Sequence, residues 1–178
     1  MFAAFHRWRR KEDGVAAVEF ALLATPFFML LVGVLEISMY FAAGTSLEGG
    51  AAAASRLLRT GQAQLSSDPE ETFRVAMCDH VQTLIPCDRI QYQVIRLDDN
   101  TFEGAEAYEP EFDDDGNLVP APFSTGNSND VILVQTVYRY EFLTPFLGTM
   151  ITGDPGRNWS MHMAMSVIKA EPYNFMED

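Results

Sequence analysis

The sequence predicts an α+β protein: a long N-terminal transmembrane helix that extends into a small extracytoplasmic domain with a second helix and an antiparallel sheet of three or more strands. Three observations carry this. Residues 20–43 form a run of 24 residues with one charge, Glu36. Charge divides sharply between a short basic N-terminus and an acidic remainder. Three segments of the second half alternate apolar and polar residues with the period of strands.

The apolar run comes first. At about 1.5 Å per residue it makes roughly 36 Å of helix, against a hydrocarbon core of about 30 Å. Ahead of it, residues 1–14 form a basic leader carrying Arg7, Arg9, Arg10 and Lys11 against Glu12 and Asp13. The rest of the chain carries eight basic and 23 acidic residues. Lys and Arg beside a span favour the cytoplasmic side. The expected topology is therefore single-pass in the inner membrane, N-terminus cytoplasmic and C-terminal domain periplasmic. A net charge of −13 argues against nucleic-acid binding, which needs a basic footprint.

Helical sequence continues past the span over residues 15–61, and residues 62–178 form the extracytoplasmic α+β domain. Leu47, Ala51, Ala54 and Leu58 recur at helical spacing and make one narrow apolar stripe, with Arg56 opposite and Glu48 and Arg59 well off it. Gly61 ends the helix. Pro26 removes the hydrogen bond to the Leu22 carbonyl and marks a kink, either an ordinary proline of a membrane helix or a functional bend.

Asp68-Pro69-Glu70-Glu71 starts the second helix, with a capping carboxylate, a proline in the first turn and acids at the positive end. It is expected to reach about Leu84, with Phe73, Met77, Val81 and Leu84 inward and His80 at the edge of the core. Cys78 and Cys87, close in sequence and outside the cytoplasm, favour a disulfide joining this helix to the first strand, over two reduced thiols. Zinc on Cys78, His80 and Cys87 lacks a fourth ligand.

The strands follow. In 89–97, Ile90, Tyr92 and Val94 share a face. In 131–142, Ile132, Val134, Tyr138, Tyr140 and Phe142 do, with Gln135, Arg139 and Glu141 turned away. In 158–170, Trp159, Met161, Met163, Met165 and Val167 do, with Ser160, His162 and Ser166 turned away. Such strands suit a sheet with one face covered by helix, and the methionine stripe reads as core. Residues 98–130 hold nine acids up to Asp115 and three prolines, so they are either an exposed loop or a short hairpin. Asp113-Asp114-Asp115-Gly116-Asn117 lacks the glycine position and bidentate glutamate of an EF-hand and reads as a solvated acidic turn.

The most informative stretch is Gly14-Val15-Ala16-Ala17-Val18-Glu19-Phe20, where charged leader meets apolar helix. A carboxylate in such a segment is costly, although Glu19 in an arbitrary anchor fits at headgroup level. The arrangement of basic leader, glycine, four small or apolar residues, glutamate, aromatic and long apolar helix resembles the processing signal of type IV pilins and pseudopilins. More narrowly, Gly14 to Pro26, the later Ala51-Ala52-Ala53-Ala54-Ser55-Arg56-Leu57-Leu58-Arg59-Thr60-Gly61 and the terminal Glu171-Pro172-Tyr173 resemble the TadE/TadG family of the tight adherence (Flp) pilus system.

That resemblance implies a pilin-like fold and cleavage by a prepilin peptidase between Gly14 and Val15. It also implies a role for Glu19 and Phe20 in subunit assembly, with Glu19 meeting the new amine of a neighbouring subunit. The domain is much larger than in the major Flp pilin, which implies a minor or accessory subunit. Implied partners are the peptidase, other pilin and pseudopilin subunits and the tad secretion machinery. No cofactor or metal is expected. The competing reading is an unprocessed, membrane-tethered periplasmic binding domain.

An enzyme is not expected. His6, His80 and His162 are the only histidines, and no nucleophile–base pairing or phosphate loop is present. A cleavable signal peptide would have an apolar core of about 7–15 residues, shorter than this one. Arg9-Arg10 lacks a twin-arginine export context.

Overall fold

The computed structural model describes residues 13–172. The leader arginines, Lys11, His6 and Tyr173 lie outside the described residues. The elements are α1 (Asp13–Arg59), α2 (Pro69–Val81), a 3-10 turn (Cys87–Arg89), β1 (Ile90–Arg96), α3 (Phe102–Glu106), β2 (Val131–Glu141), α4 (Pro145–Thr152) and β3 (Trp159–Lys169). The strands form one antiparallel sheet in the order β1-β2-β3, so the α+β architecture is as the sequence predicts. Contacts divide the chain into two units that meet between Met39 and Tyr40.

The described residues of the first unit are helix alone. No side chain from Gly14 to Leu35 is buried, and apolar residues such as Phe20, Leu22 and Met29 stay exposed around the whole circumference. The helix is long and apolar enough to cross a membrane. It remains helical through Pro26, with Thr25 Oγ1 donating to the Ala21 carbonyl at 3.0 Å.

In the second unit the stripe Leu47, Ala51, Ala54 and Leu58 is buried, extended at its start by Ala43. It joins Phe73, Met77 and Val81 of α2 and one face of the sheet in a single core. Small residues set the spacing between the helices. A side chain at Gly50 would meet Val81 Cγ1 at 2.6 Å and the Met77 carbonyl at 3.2 Å, so α1 and α2 approach almost backbone to backbone. α1 ends as predicted at Gly61, whose φ of 77° is costly for any residue with a Cβ.

α2 starts where expected, with Asp68 Oδ1 accepting from the Glu71 amide at 3.0 Å and Pro69 in the first turn. It stops at Val81, three residues short of the predicted Leu84. The Leu84 amide turns back to the Val81 carbonyl, and the tighter turn shifts the inward position by one residue. Ile85 is therefore fully buried and Leu84 is 39% exposed, reversing the expectation for Leu84. Cys78 and Cys87 form a disulfide across this turn, with Cα atoms 5.5 Å apart.

β1 and β2 present the expected inner face: Ile90, Val94, Ile132, Val134 and Tyr138 are buried in the main core. β3 corrects the sequence reading. Pairing of His162 with Tyr138 and of Ala164 with Thr136 puts Ser160, His162, Ala164 and Ser166 on the helix side. Met161, Met163 and Met165 point the other way, and the last two are about half exposed. The reason is thickness. At Gly44 a Cβ would lie 3.0 Å from His162 Nδ1, so α1 passes too close to the sheet for a row of methionines.

The far face of the sheet is not bare either, contrary to the one-covered-face expectation. Residues 98–130 fold over part of it, supplying α3 and a single bridge between Phe112 and Leu118. Leu97, Ala105, Val131 and Leu133 make a second small core there. Gln135, expected to face solvent, is fully buried and accepts a hydrogen bond from Gln93. The segment thus hides a short hairpin. Its turn is built on Asp113 Oδ1, which accepts from the Asp115 amide at 3.0 Å and the Asn117 amide at 2.7 Å. These bonds, Asn117's first, hold the Asp113 carboxyl below the usual carboxylate range.

Candidate functional site: the N-terminal helix segment

Gly14, Val15, Glu19 and Phe20 fall in the first turns of α1, on helix with no covering contacts. A Cβ built at Gly14 has nothing within 4 Å. The glycine is therefore not required by packing against the described residues. Val15 and Phe20 are exposed at 65% and 71%. Glu19 is also exposed.

Spacing fixes what this segment can do. Val15 and Glu19 stand four apart, so they lie on one face a helical turn apart, about 6 Å along the axis. Phe20 lies about 100° round from Glu19. Val15 and the Glu19 carboxylate therefore lie on the same side of the helix. In lipid a lone carboxylate costs up to about 3 kcal/mol at mid-span, less near the interface, and an opposite charge held against it offsets part of that cost. Pro26, seven residues after Glu19, leaves the Leu22 carbonyl without its intrahelical donor.

The remaining candidates do not converge on this segment. Among the described residues no group of three or more His, Cys, Asp or Glu side chains is placed to hold a metal ion. Cys78 and Cys87 are consumed in their disulfide. His80, expected at the edge of the core, is exposed, although its Nε2 lies where a side chain at Gly49 would stand.

His162 is the structurally unusual histidine. Its ring lies 4.3 Å from that of Tyr40, whose hydroxyl is 3.1 Å from Ser160 Oγ, and Tyr140 and Phe142 complete an aromatic cluster around Tyr40. Burial pushes the imidazole below its ordinary range, opposed by a hydrogen bond involving Tyr40 and by the charge of Glu48. His162 Nε2 is buried without a hydrogen-bond partner.

Two features escaped the sequence reading. Trp159 is held between the guanidiniums of Arg139 and Arg157, at 4.1 and 3.8 Å from its ring, next to a shallow hollow lined by Phe112, Met161 and Met163. Only the β2–β3 register brings the two arginines together. The second is α4, whose apolar residues were passed over because the segment is too short for a helical period to show.

Compared with protein-family models, residues 14–56 match the one described as TadE-like protein. The match begins at Gly14 and runs into the alanine-rich end of α1, covering about a quarter of the chain. It agrees with the resemblance read from the same residues. No curated protein and no solved structure matches the chain.

Proposed function

We propose that this chain, TadE-like over its N-terminal quarter, is a minor pilin-like subunit that acts in assembly of a tight-adherence pilus after removal of its leader by a prepilin peptidase. The observation that carries the reading is the coincidence of three things at one point. The family match starts at Gly14. The apolar stretch of sequence begins with the next residue, Val15, directly after the charged leader. Glu19 then follows one turn after Val15.

In this reading the peptidase hydrolyses the Gly14–Val15 peptide bond, leaving a carboxylate on the leader and a free amine on Val15. The open surroundings of Gly14 suit access by a membrane-embedded enzyme. The new ammonium and the Glu19 carboxylate share a face. Each is then available to the opposite charge of an adjacent subunit, and pairing fixes the axial register of neighbouring helices more than it adds net stability. The disulfide-closed domain stays outside the cytoplasm, and the inner membrane holds the subunit until assembly.

The two residues should fail at different stages. We expect Gly14→Trp to leave a precursor heavier by the leader. We expect Glu19→Ala to be processed at least in part yet to impair piliation, because the amine is then buried without its partner. Precursor size by immunoblot and surface pili by shear fraction decide the matter. Wild-type size and wild-type piliation for both variants would leave a simple unprocessed tether.

A further inference from the structure

We infer that α4, with Leu143 immediately before it, is a membrane-surface element: it lays its apolar side on the outer leaflet of the bilayer. The inference rests on the membrane-anchored reading above and goes beyond it, since nothing in the family-matched segment includes α4.

Composition points first. Residues 142–152, Phe-Leu-Thr-Pro-Phe-Leu-Gly-Thr-Met-Ile-Thr, contain no charge, in a chain of which 21% of the residues are charged. Exposure comes next. Leu143 is 90% exposed, Met150 64% and Ile151 40%. Three large apolar side chains thus stand exposed within nine residues of uncharged sequence.

Position identifies the occupant. Tyr40, the first residue of the folded domain, lies with its ring 5.3 Å from that of Phe142. Phe142 is three residues ahead of α4. The apolar run of α1 covers residues 20–43, so Tyr40 falls at its outer end, where aromatic rings of membrane proteins gather at headgroup level. Within the folded domain, α4 therefore lies three residues beyond a ring that packs on Tyr40, the residue at the outer end of the apolar run. Its floor is firm: Asn158 donates to the Phe142 carbonyl at 2.5 Å, and Gly148 approaches Asn158 too closely for any side chain. α4 is thus tied to the start of β3. A short apolar helix held in this way binds the headgroup–acyl boundary through its buried area.

The test uses the full chain in liposomes of phosphatidylcholine and phosphatidylglycerol, with its disulfide intact and one added thiol carrying an environment-sensitive fluorophore. Leu143→Cys and Met150→Cys report on α4. Asn127→Cys reports on the opposite end of the eleven-residue strand β2, and Phe28→Cys on the anchor. Lipids bearing a nitroxide on the acyl chain serve as quencher. We expect quenching at positions 143 and 150 at least about threefold above that at position 127, with position 28 strongly quenched. Strong quenching at 28 with 143 and 150 no higher than 127 overturns the placement of α4 while leaving the anchor intact. Absence of quenching at 28 removes the anchor itself and the inference with it. Met150→Asp, a change at an exposed site, supplies a second check: it should lower quenching at position 143, and an unchanged value counts against lipid contact.

Discussion

Methionine-to-alanine substitution at two positions isolates the orientation of β3. Met77 is fully buried between α1, α2 and the sheet, whereas Met163 is 48% exposed on the far face. The same atoms are removed in both cases. At Met77 the loss combines transfer free energy with a cavity that a close-packed helix pair cannot fill, so the cost is about 2–5 kcal/mol. At Met163 about half the side chain is already in water and no closed cavity forms, which leaves roughly 0.5–1 kcal/mol. For a domain of this size 1 kcal/mol moves Tm by about 3–5 °C. We therefore expect a fall of about 8 °C or more for Met77→Ala and about 4 °C or less for Met163→Ala. Near-ultraviolet circular dichroism of the full chain in mild detergent reads both. Had the methionine stripe faced the helices, the two losses would be equal. A loss at Met163 that equals or exceeds the one at Met77 refutes the orientation described here.

Three further outcomes can be checked. Cys78→Ser should cost about 2–3 kcal/mol, since the bond closes a short loop in the unfolded chain, and urea unfolding of the oxidised and substituted proteins measures it; equal midpoints would show that the bridge adds nothing. His162 has a folded pKa below its unfolded value, so its contribution to stability is present above the unfolded pKa and is lost as pH falls below it. Between pH 7 and pH 5 wild-type Tm should drop more steeply than that of His162→Gln, and parallel slopes would dismiss the contribution of the imidazole. A periplasm-active reporter fused after Met176 should be active and a cytoplasm-active one silent; the reverse pattern would invert the membrane orientation.

The elements set by local rules were legible in the sequence. Asp68 with Pro69 marks a helix start whatever surrounds it, and Gly61 marks a stop because the backbone there needs positive φ. The stripe from Leu47 to Leu58 could be read because burial of one helix face leaves a period. β3 could not be oriented in the same way. Alternation shows that two faces exist, and hydrophobicity favours the methionine side as the inner one. The gap beneath α1 decides otherwise, and its width depends on Gly44, more than a hundred residues away. Gln135 was misread for a related reason. A polar residue on an alternating strand signals solvent only when nothing folds over it, and here the acidic segment covers it and Gln93 pairs with it. In the segment from Gly14 to Phe20 the residue types were informative, but their use depends on molecules outside the chain.

That dependence separates the two units physically. From Gly14 to Leu35 the chain buries none of its side chains among the described residues, and this stretch is long and apolar enough to cross a membrane. From Tyr40 onward the chain builds its own core, in which α1 contributes only a stripe of small and aliphatic residues. The family match, residues 14–56, covers the described first unit almost whole and runs on along α1 into the second. The part whose contacts lie outside the chain combines an open glycine, Gly14, a carboxylate five residues on, Glu19, and an apolar circumference. The part that satisfies itself needs only a sheet and two helices that pack, a requirement many unrelated sequences can meet. The specificity of the domain is then to be sought on its surface, at the uncharged side of α4 and at the half-exposed methionine face beside Trp159, where packing imposes no reason for those residues to be there.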